Sequence, residues 1–592
     1  MTAIPALPPW ALGAIFAIVA YYLAYLYLRN DPETPVPFTS SIPEQCRLGW
    51  RGEILETLSL KATGSTAIQC YAPATGESLG LVNPTTADGI DRAVAKAAKA
   101  QIEWARTSWP QRRRVLKTLL KHVLDNQDLI CTIACLDSGK TRIDALFGEI
   151  LVTAEKLRWS IDHGEKALRP ESRPTNLLMC YKKNEVRWEP LGVVAACVSW
   201  NYPFHNLFGP LISALFSGNA ILLKSSEQTA WSSTHFASIA RNALVACGHP
   251  PDLIQNVPCW PAAADHLTSH PGISHITFIG SRPVAHYVCA SAAKALTPVT
   301  VELGGKDAAI VLDDCGPDID RIASVLMRGV FQSAGQNCIG IERIVAMPKA
   351  FAALEKRLTD RIAQLRVGNG LGPNTVDMGA MVSDVSFARL ELLVQDAVSQ
   401  GAKLVQGGKR LPHPVHLHGH YFAPTLLTHV TSSMRIAQEE VFGPICVLMA
   451  ASSISDAVEI ANSTSYGLGC SVFGPTTSTT ARANLEHVTR EVKAGMVAVN
   501  DFAAYYAVQL PFGGSKGSGY GRFAGEEGLR SLCNQKAVCV DRLPRLVKTK
   551  IPPPLDYPVD SRGPEMAKGV VELGYADGIV RKMQGLRKIL NW

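Results

Sequence analysis

Runs of apolar residues alternate along most of the chain with stretches of helical periodicity. The strand-like runs, bounded by Gly and Pro, occupy 191–200, 219–224, 273–280, 307–312, 446–450 and 495–500. Segments such as 90–106 and 114–136 carry apolar residues at helical spacing. Near-continuous apolar strands separated by helices are typical of parallel sheets covered on both faces. The pattern predicts a multi-domain α/β protein whose first strand begins near residue 66.

The N-terminal segment 10–28 departs from this pattern, because it contains nineteen residues and no charged side chain. A helix of that length spans roughly 28 Å, close to the hydrocarbon core of a bilayer. A cleaved signal peptide is the alternative, but no basic residue precedes the segment and no small-x-small cleavage site follows it. Arg29 flanks its C-terminal side. We predict a single-pass signal anchor, with the endoplasmic reticulum as the expected membrane and the body facing the cytosol.

Composition limits the functional classes. The 592 residues carry a net charge of +7 and no lysine- or arginine-rich block, so we do not expect nucleic acid as a partner. The fifteen cysteines lack the spacing of a disulfide framework, which favours a reducing compartment. Four histidines at 413, 416, 418 and 420 have no carboxylate or cysteine beside them. We therefore predict no metal site.

One cysteine differs from the others in its surroundings. Cys338 lies in the stretch GQNCIG beside Gly335, Gln336, Asn337 and Gly340. A packed core gains little from adjacent Gly, Gln and Asn, whereas a reactive thiol needs a substrate to approach its backbone and sulfur closely. The stretch indicates a nucleophilic cysteine.

Two further polar residues follow predicted strands. Glu302 ends the run VTVE and precedes a Gly–Gly pair, although a single acid there could equally be a solvated carboxylate at a strand end. Asn201 follows the strand at 191–198. Its amide could donate to an oxyanion, or the residue could be a simple turn residue.

Two other stretches predict contacts to a nucleotide. Lys224 and Glu227 follow the strand at 219–224, a place where acids bind ribose hydroxyls in dinucleotide sites. Gly280 and Ser281 stand between a strand and a predicted helix, whose N-terminus suits a pyrophosphate. No G-x-G-x-x-G occurs in the chain, so the ordinary Rossmann fingerprint does not support this site.

In order, these stretches resemble the motif series of the aldehyde dehydrogenase superfamily. The matching stretches are SWNYPF, KSSE, FIGS, ELGGK, GQNC, EEVFGP and PFGGSKGSGYGR, over roughly residues 65–540. The N-terminal anchor, a proline-rich spacer and a basic tail are further similar to a fungal membrane-bound branch that is associated with meiotic sister-chromatid recombination. The resemblance implies an α/β fold with a nicotinamide-cofactor-binding domain, a catalytic domain and small oligomerisation strands, in a homodimer or higher homo-oligomer.

The resemblance also implies domain boundaries. The predicted segments are an anchor at 10–28, a linker at 29–64, a cofactor-binding domain at 65–172 and 191–300, bridging strands at 173–190 and 527–541, a catalytic domain at 301–526, and a spacer with a basic amphipathic tail at 542–592. In the tail, the apolar residues of 579–590 share one helical face. They could contact an anionic membrane or pack on the protein's own surface.

By resemblance, Cys338 is the nucleophile and Glu302 the general base, while the Asn201 amide and the Cys338 backbone N–H hold the oxyanion. The implied reaction oxidises an aldehyde to a carboxylic acid through a thiohemiacetal and a thioester. The implied cofactor is NAD, with NADP as the alternative. Its implied contacts are Lys224 and Glu227 at the adenosine ribose, Trp200 and Ser281 behind Gly280 at the pyrophosphate, Glu440 at the nicotinamide ribose and Phe442 at the nicotinamide.

The sequence departs from the family pattern near the pyrophosphate, where Ile279 and Ala285 replace the usual Thr and Gly. Gly209 stands where related enzymes often have a bulky aromatic residue, which favours a wide channel and an apolar aldehyde of medium to long chain. A catalytically silent membrane scaffold and an acyl transfer to coenzyme A are the rival functions. Retention of Cys338, Glu302 and Asn201 favours oxidation with hydrolysis instead.

Overall fold

The computed structural model describes residues 18–19, 32–502 and 506–591. The described residues form two compact units, which divide after Ala167, Glu189 and Leu532. The first unit contains the described residues up to Ala167 and those of Pro190–Leu532, and the second contains Leu168–Glu189 and those from Cys533 onwards. Nearly all of the predicted anchor at 10–28 lies outside the described residues. Within them, no helix is both long enough and apolar enough to cross a bilayer.

The strands follow the predicted apolar runs. In chain order they are β1 (Ile68–Tyr71), β2 (Ser78–Val82), β3 (Glu171–Arg173), β4 (Lys182–Pro190), β5 (Val193–Cys197), β6 (Ala220–Lys224), β7 (Ile254–Asn256), β8 (Ile276–Ile279), β9 (Val299–Glu302), β10 (Ala308–Val311), β11 (Arg343–Ala346), β12 (Lys403–Gln406), β13 (Thr425–Thr428), β14 (Ile445–Ala450), β15 (Gly469–Phe473), β16 (Met496–Val499), β17 (Gly519–Tyr520) and β18 (Cys533–Asp541). The six predicted strands are confirmed, each within a residue or a few of the expected bounds.

The α-helices alternate with these strands along much of the chain. Their bounds are Ala87–Trp104, Trp109–Asp125, Gln127–Ser138, Arg142–Ala145, Val152–Ala167, Pro203–Phe216, Ala230–Ala246, Pro261–Thr268, Arg282–Ala293, Ile319–Phe331, Pro348–Ile362, Phe387–Ser399, Arg435–Gln438, Ile454–Asn462, Thr479–Glu491, Gly525–Arg530, Gly563–Tyr575 and Ile579–Leu590. A π-helical turn, Leu146–Leu151, leads into the helix Val152–Ala167.

The first unit contains two large sheets. One has the order β17-β9-β8-β5-β6-β7, and its strands are parallel except for β17, which pairs antiparallel with β9. The other has the order β12-β13-β14-β11-β10-β15-β16 and is parallel except for β12. The central strands of both sheets are apolar and buried, as the sequence predicts for sheets covered on two faces. The α/β fold is confirmed.

Some boundaries differ from the prediction. The single helix expected at 114–136 is wrong, because Asn126 ends one helix and begins the next with φ −123° and ψ 27°. Its side chain donates to the carbonyl of His122 at 2.9 Å, a local hydrogen bond that competes with helix continuation. The boundary predicted between 300 and 301 falls inside β9, and 527–530, the start of the bridging strand predicted at 527–541, belongs to the helix Gly525–Arg530.

The described part of the predicted linker, residues 32–64, packs against the rest of the first unit. Glu33 forms ion pairs with Arg113 and Lys117, and its side chain is only 15% exposed. A bridge between Ile54 and Glu77 adds a further contact. Residues 32–64 therefore belong to the folded body.

The second unit contains the three-stranded sheet β18-β4-β3 and two C-terminal helices. The predicted tail helix is present as Ile579–Leu590 and packs against Gly563–Tyr575. A Cβ atom at Gly569 would lie 2.6 Å from the carbonyl oxygen of Gly585, so the two helices cross at glycines. The tail thus packs on its own unit, yet Ile579, Met583 and Leu590 stay 78%, 59% and 67% exposed.

Candidate active site

The carboxyl ends of four parallel strands bring the predicted residues to one sheet edge. Trp200 and Asn201 follow β5, Lys224 ends β6, Gly280 follows β8 and Glu302 ends β9. Register pairs Cys197 with Lys224 and Ile279 with Glu302. Carboxyl edges of parallel sheets are where α/β proteins bind ligands.

The second large sheet contributes site residues from loops at the opposite, amino ends of its strands. Cys338 lies in the loop before β11, and Glu440 and Phe442 lie in the loop before β14. The site is therefore built between the carboxyl edge of one sheet and the amino edge of the other. No local sequence signal predicts this arrangement, because strand polarity across two sheets is a tertiary property.

Cys338 and Glu302 meet at this site. The Glu302 carboxyl group and the Cys338 thiol line one cavity. Burial raises the pKa of Glu302 to about 7, although the hydrogen bond from the Gly304 N–H and the nearby thiol oppose the rise. Burial, together with the carboxylates of Glu302 and Glu440, raises the pKa of the Cys338 thiol well above its usual value. The thiol is thus the proton donor of this pair and the carboxyl group its base.

The turn before Cys338 has an unusual backbone. Ser333, Ala334 and Gly335 have φ angles of 54°, 54° and 70°. Left-handed conformations cost free energy in residues other than glycine and persist where the surroundings enforce them, often at functional sites. A Cβ atom at Gly335 would lie 2.2 Å from the carbonyl oxygen of Gly443. The cysteine loop is thereby pressed directly against the loop that carries Glu440 and Phe442.

Asn201 lies next to the same loop. Its Oδ1 accepts from the Ser199 hydroxyl at 2.8 Å and from the Asn206 amide at 3.2 Å, which fixes the amide orientation. Its Nδ2 donates to the carbonyl of Gln336 at 3.1 Å and has a second hydrogen to offer. The backbone N–H of Cys338 donates to no acceptor within the described ranges. One donor therefore lies against the loop that carries Cys338, and the other belongs to Cys338 itself.

A buried ion pair that sequence reasoning missed positions Asn201. Lys140 Nζ lies 2.6 Å from Glu149 Oε1 and donates to the Asn201 carbonyl at 2.7 Å. Glu149 Oε2 accepts from the backbone N–H groups of Phe204 and His205, the first turn of the helix Pro203–Phe216. A carboxylate at a helix N-terminus satisfies free N–H groups. Glu149 lies in the π-helical turn, a form of helix that often marks functional sites.

A second buried pair positions the other loop. Lys306 Nζ lies 2.7 Å from Glu342 Oε2. Glu342 also accepts from the backbone N–H groups of Val441 and Phe442 at 3.0 Å each. Lys306 belongs to the ELGGK stretch, which is the signal that could have revealed this role. Neither Glu149 nor Glu342 had such a signal, because the role of each depends on contacts with residues that are distant in sequence.

The remaining predicted residues fit a dinucleotide. Lys224 Nζ and Glu227 Oε1 are 2.8 Å apart. Ser281 occupies the N-cap position of the helix Arg282–Ala293, but its side chain forms no capping hydrogen bond. The Trp200 ring meets the Phe442 ring edge-on, with centroids 5.5 Å apart.

The carboxyl group of Glu440 provides the sharpest test of fit. Its Oε1 accepts from the Gly305 N–H at 3.2 Å, and a Cβ at Gly304 would lie 2.0 Å from it. No cationic side chain forms an ion pair with it in the described part of the chain, and burial raises its pKa well above the usual value. Such a buried carboxyl group suits hydroxyl donors, as a ribose offers.

The histidines of 413–420 do not converge on a metal-type cluster. Among the described residues, such a cluster is formed by Asp91, His266 and His270. The Nδ1 of His270 accepts from the Gly272 N–H at 2.9 Å, which leaves its proton on Nε2, facing Asp91. A metal ion needs that nitrogen deprotonated, so the cluster is a hydrogen-bonded one.

Comparison with known proteins identifies the family. The sequence profile of the aldehyde dehydrogenase family matches residues 60–538. The chain belongs to the aldehyde dehydrogenase family. It is 52% identical over 537 residues to an aldehyde dehydrogenase-like protein of Saccharomyces cerevisiae, covering 89% of this chain and 82% of that protein. A similar protein of Schizosaccharomyces pombe is 53% identical over 495 residues, covering 84% and 93%.

Solved aldehyde dehydrogenases have the same fold. The crystal structure of a Mycobacterium tuberculosis aldehyde dehydrogenase complexed with NAD⁺ superposes with a TM-score of 0.72 at 31% identity, covering 81% of this chain and 95% of that one. This aldehyde dehydrogenase is accordingly an NAD(P)-dependent enzyme. The site described above is where its predicted residues converge.

Replacement of Glu149 by Gln tests the buried pair. The variant leaves the Lys140 ammonium buried without its counter-charge, which we expect to lower the free energy of unfolding by about 3–5 kcal/mol. Displacement of Asn201 should also lower aldehyde turnover roughly tenfold or more. Urea denaturation and NADH formation measure the two effects.

Asp125→Asn is the matched control, because it breaks an exposed pair with Lys121 at 2.9 Å. Exposed pairs contribute little, so this variant should behave as the parent protein does. Equal stability of Glu149→Gln and Asp125→Asn would refute a supporting role for Glu149.

Proposed function

We propose that this aldehyde dehydrogenase oxidises an aldehyde to the carboxylic acid at Cys338, with Glu302 as the general base. The presence of the Cys338 thiol and the buried Glu302 carboxyl group in one cavity carries this proposal. A carboxyl group whose pKa is about 7 can take up and release protons near neutral pH.

Each step has a residue suited to it. Glu302 takes the thiol proton as the sulfur adds to the aldehyde carbonyl, and the Asn201 amide and the Cys338 N–H hold the oxyanion of the thiohemiacetal. When NAD(P) is bound, its nicotinamide supplies the acceptor for the hydride that leaves. Glu302 then releases the thiol proton to solvent and, ionised again, deprotonates the water that hydrolyses the thioester on Cys338.

A silent scaffold is disfavoured by the cost of these groups. Glu302 is 1% exposed and forms no ion pair with any described residue. A buried carboxyl group without a cationic partner costs stability, so a protein without catalysis gains nothing by its presence. Acyl transfer to coenzyme A needs no base that activates water. Because Glu302 can act as such a base, its presence favours hydrolysis.

Replacement of Glu302 by Gln should stall hydrolysis more than hydride transfer. The thiol can still lose its proton to solvent, whereas the attacking water loses its base. We expect a burst of about one NADH per subunit followed by a steady state roughly 10²–10⁴-fold below that of the parent. Stopped-flow absorbance measures both phases.

Cys338→Ala is the companion variant, and it should show no burst and no turnover above background while it still binds NAD. Substantial turnover in Cys338→Ala, or an unchanged steady state in Glu302→Gln, would rule out the assignment.

The pair of Lys224 and Glu227 supports a preference for NAD over NADP. Glu227 would accept from the ribose 2′-hydroxyl and repel a 2′-phosphate, although Lys224 at 2.8 Å reduces its field. Glu227→Gln should shift the ratio of kcat/KM values towards NADP by roughly tenfold, because it removes one like-charge contact. A parent enzyme that prefers NADP, or a ratio that does not move, would contradict this role.

We also propose that the segment 10–28 anchors the enzyme in the endoplasmic reticulum membrane with its body in the cytosol. The uncharged sequence of the segment and Arg29 after it support this topology. The substrate we expect is a medium- or long-chain aldehyde derived from lipid. Openness beside Gly209, where a Cβ would meet no atom within 4 Å, supports room for such a chain.

The C-terminal tail supports a second membrane contact. Ile579, Met583 and Leu590 are exposed beside the basic residues Arg581 and Lys582. Such a surface suits the headgroup region of an anionic leaflet. A variant lacking 1–29 should bind anionic but not neutral liposomes, and binding should fall at high salt and with Met583→Asp combined with Leu590→Asp. Failure to bind anionic liposomes would leave the tail as internal packing.

We expect a homodimer or higher homo-oligomer, as is typical of the family. The edge strands β3 and β18 of the second unit offer backbone groups for pairing between copies. Sedimentation of the full chain in detergent tests this, and a monomer at micromolar concentration would contradict it.

A further inference from the structure

The cavity at Cys338 and Glu302 extends along a mostly apolar wall. Apolar residues on this wall include Val152, Pro210, Val508, Phe512 and Phe523. Such a wall suits the methylene chain of an aldehyde.

Lys156 interrupts this wall. It lies on the helix Val152–Ala167, lines the cavity and is only 5% exposed. Its Nζ donates to the carbonyl oxygen of Phe523 at 2.8 Å. An ammonium group has three hydrogens to donate, so this single bond leaves two of them unused.

Lys156 also differs from the other buried lysines of the site. Lys140 and Lys306 are each paired with a glutamate, at 2.6 and 2.7 Å. No carboxylate lies within ion-pair distance of Lys156 in the described segments of the chain. Burial alone lowers its pKa to about 7, with no acid to offset the effect. A buried ammonium without a counter-charge is costly, and a hydrogen bond to one carbonyl does not require a lysine.

Two more buried polar atoms on the same wall lack partners. Asn337 Nδ2 and Gln332 Oε1 form no hydrogen bond with any described residue, and both side chains line the cavity. Their residues are 3% and 2% exposed. Native proteins leave few buried polar atoms without a hydrogen bond, and an atom left so in a cavity is a candidate to bind a ligand. Besides the unused N–H groups of Lys156, the cavity therefore offers one unused donor at Asn337 and one unused acceptor at Gln332.

We propose that Lys156 binds a carboxylate carried by the aldehyde substrate at the far end of its chain. The proposal rests on aldehyde oxidation at Cys338 and narrows the substrate to oxo acids, in which an apolar chain separates an aldehyde from a carboxylate. A carboxylate supplies both the missing counter-charge and acceptors for the unused N–H groups. The apolar wall holds the methylene groups between the two ends, so the bound oxo acid satisfies both kinds of surface.

The test compares aldehydes that differ only in their far end. Full-length enzyme in detergent is assayed with hexanal and 6-oxohexanoate, and with nonanal and 9-oxononanoate. The measured quantity is the ratio of kcat/KM for the oxo acid to that for the alkanal of equal length. We expect this ratio to exceed one for at least one length. In Lys156→Met it should fall about tenfold, mainly through a higher KM for the oxo acid, because the contact is remote from the reacting carbon.

Lys166→Met is the matched control, since Lys166 is an exposed lysine on the same helix. It should leave the ratio as in the parent enzyme. A ratio below one at both lengths, or an equal ratio in Lys156→Met and the parent, would overturn the proposal. If the parent oxidises neither kind of aldehyde, the proposed function itself fails.

A measurement on the parent enzyme alone does not depend on the folding of any variant. Nonanedioate and nonanoate are compared as inhibitors of nonanal oxidation, because each places a carboxylate near Cys338 and only the first offers another to Lys156. We expect the dicarboxylate to inhibit about tenfold more strongly. Equal inhibition by the two acids would also overturn the proposal.

Discussion

The active site depends on one buried carboxyl group, Glu302, that has no cationic partner among the described residues. A neighbouring lysine or arginine would hold its pKa low and leave a weak base. Burial instead raises the pKa to about 7, so the group can accept a proton near neutral pH. The Cys338 thiol lines the same cavity, so this base lies where the chemistry begins. Burying such a group lowers the stability of the fold, but the same burial gives the group the raised pKa that catalysis needs.

The surroundings of Glu302 are built to support this unpaired acid. Two buried lysine–glutamate pairs, Lys140 with Glu149 and Lys306 with Glu342, hold the backbone of the loops on either side of it. Glu149 also accepts from backbone N–H groups at the start of the helix that follows Asn201, and Glu342 from those of the loop that carries Glu440 and Phe442. The ion pairs, whose charges are balanced within the fold, therefore fix the geometry. The polar groups that lack such partners line the cavity. This division separates positioning from chemistry.

Much of the site could be predicted from sequence, because its chemical residues lie in short local stretches. Cys338 stands among small and polar residues, and Glu302 and Lys224 end buried strands, so each has a signal within a few positions. The supporting pairs could not be found in this way, since Glu342 is recognised only by its contact with Lys306 across two elements. Lys156 gives no local signal either, because its burial depends on residues near 523. The left-handed backbone at Ser333 and Ala334 contradicts local preference and is imposed by tertiary packing.

The pH dependence of Cys338 alkylation by iodoacetamide tests the role of Glu302 most directly. Mass spectrometry of the peptide that contains Cys338 gives the rate in the parent enzyme and in Glu302→Gln. Because the carboxyl group acts as a base once ionised, the rate in the parent enzyme should fall as pH drops through about 7, the pKa of Glu302. In Glu302→Gln that step should vanish, leaving only the rise at high pH where the thiol itself ionises. Identical profiles for the two proteins would contradict the account.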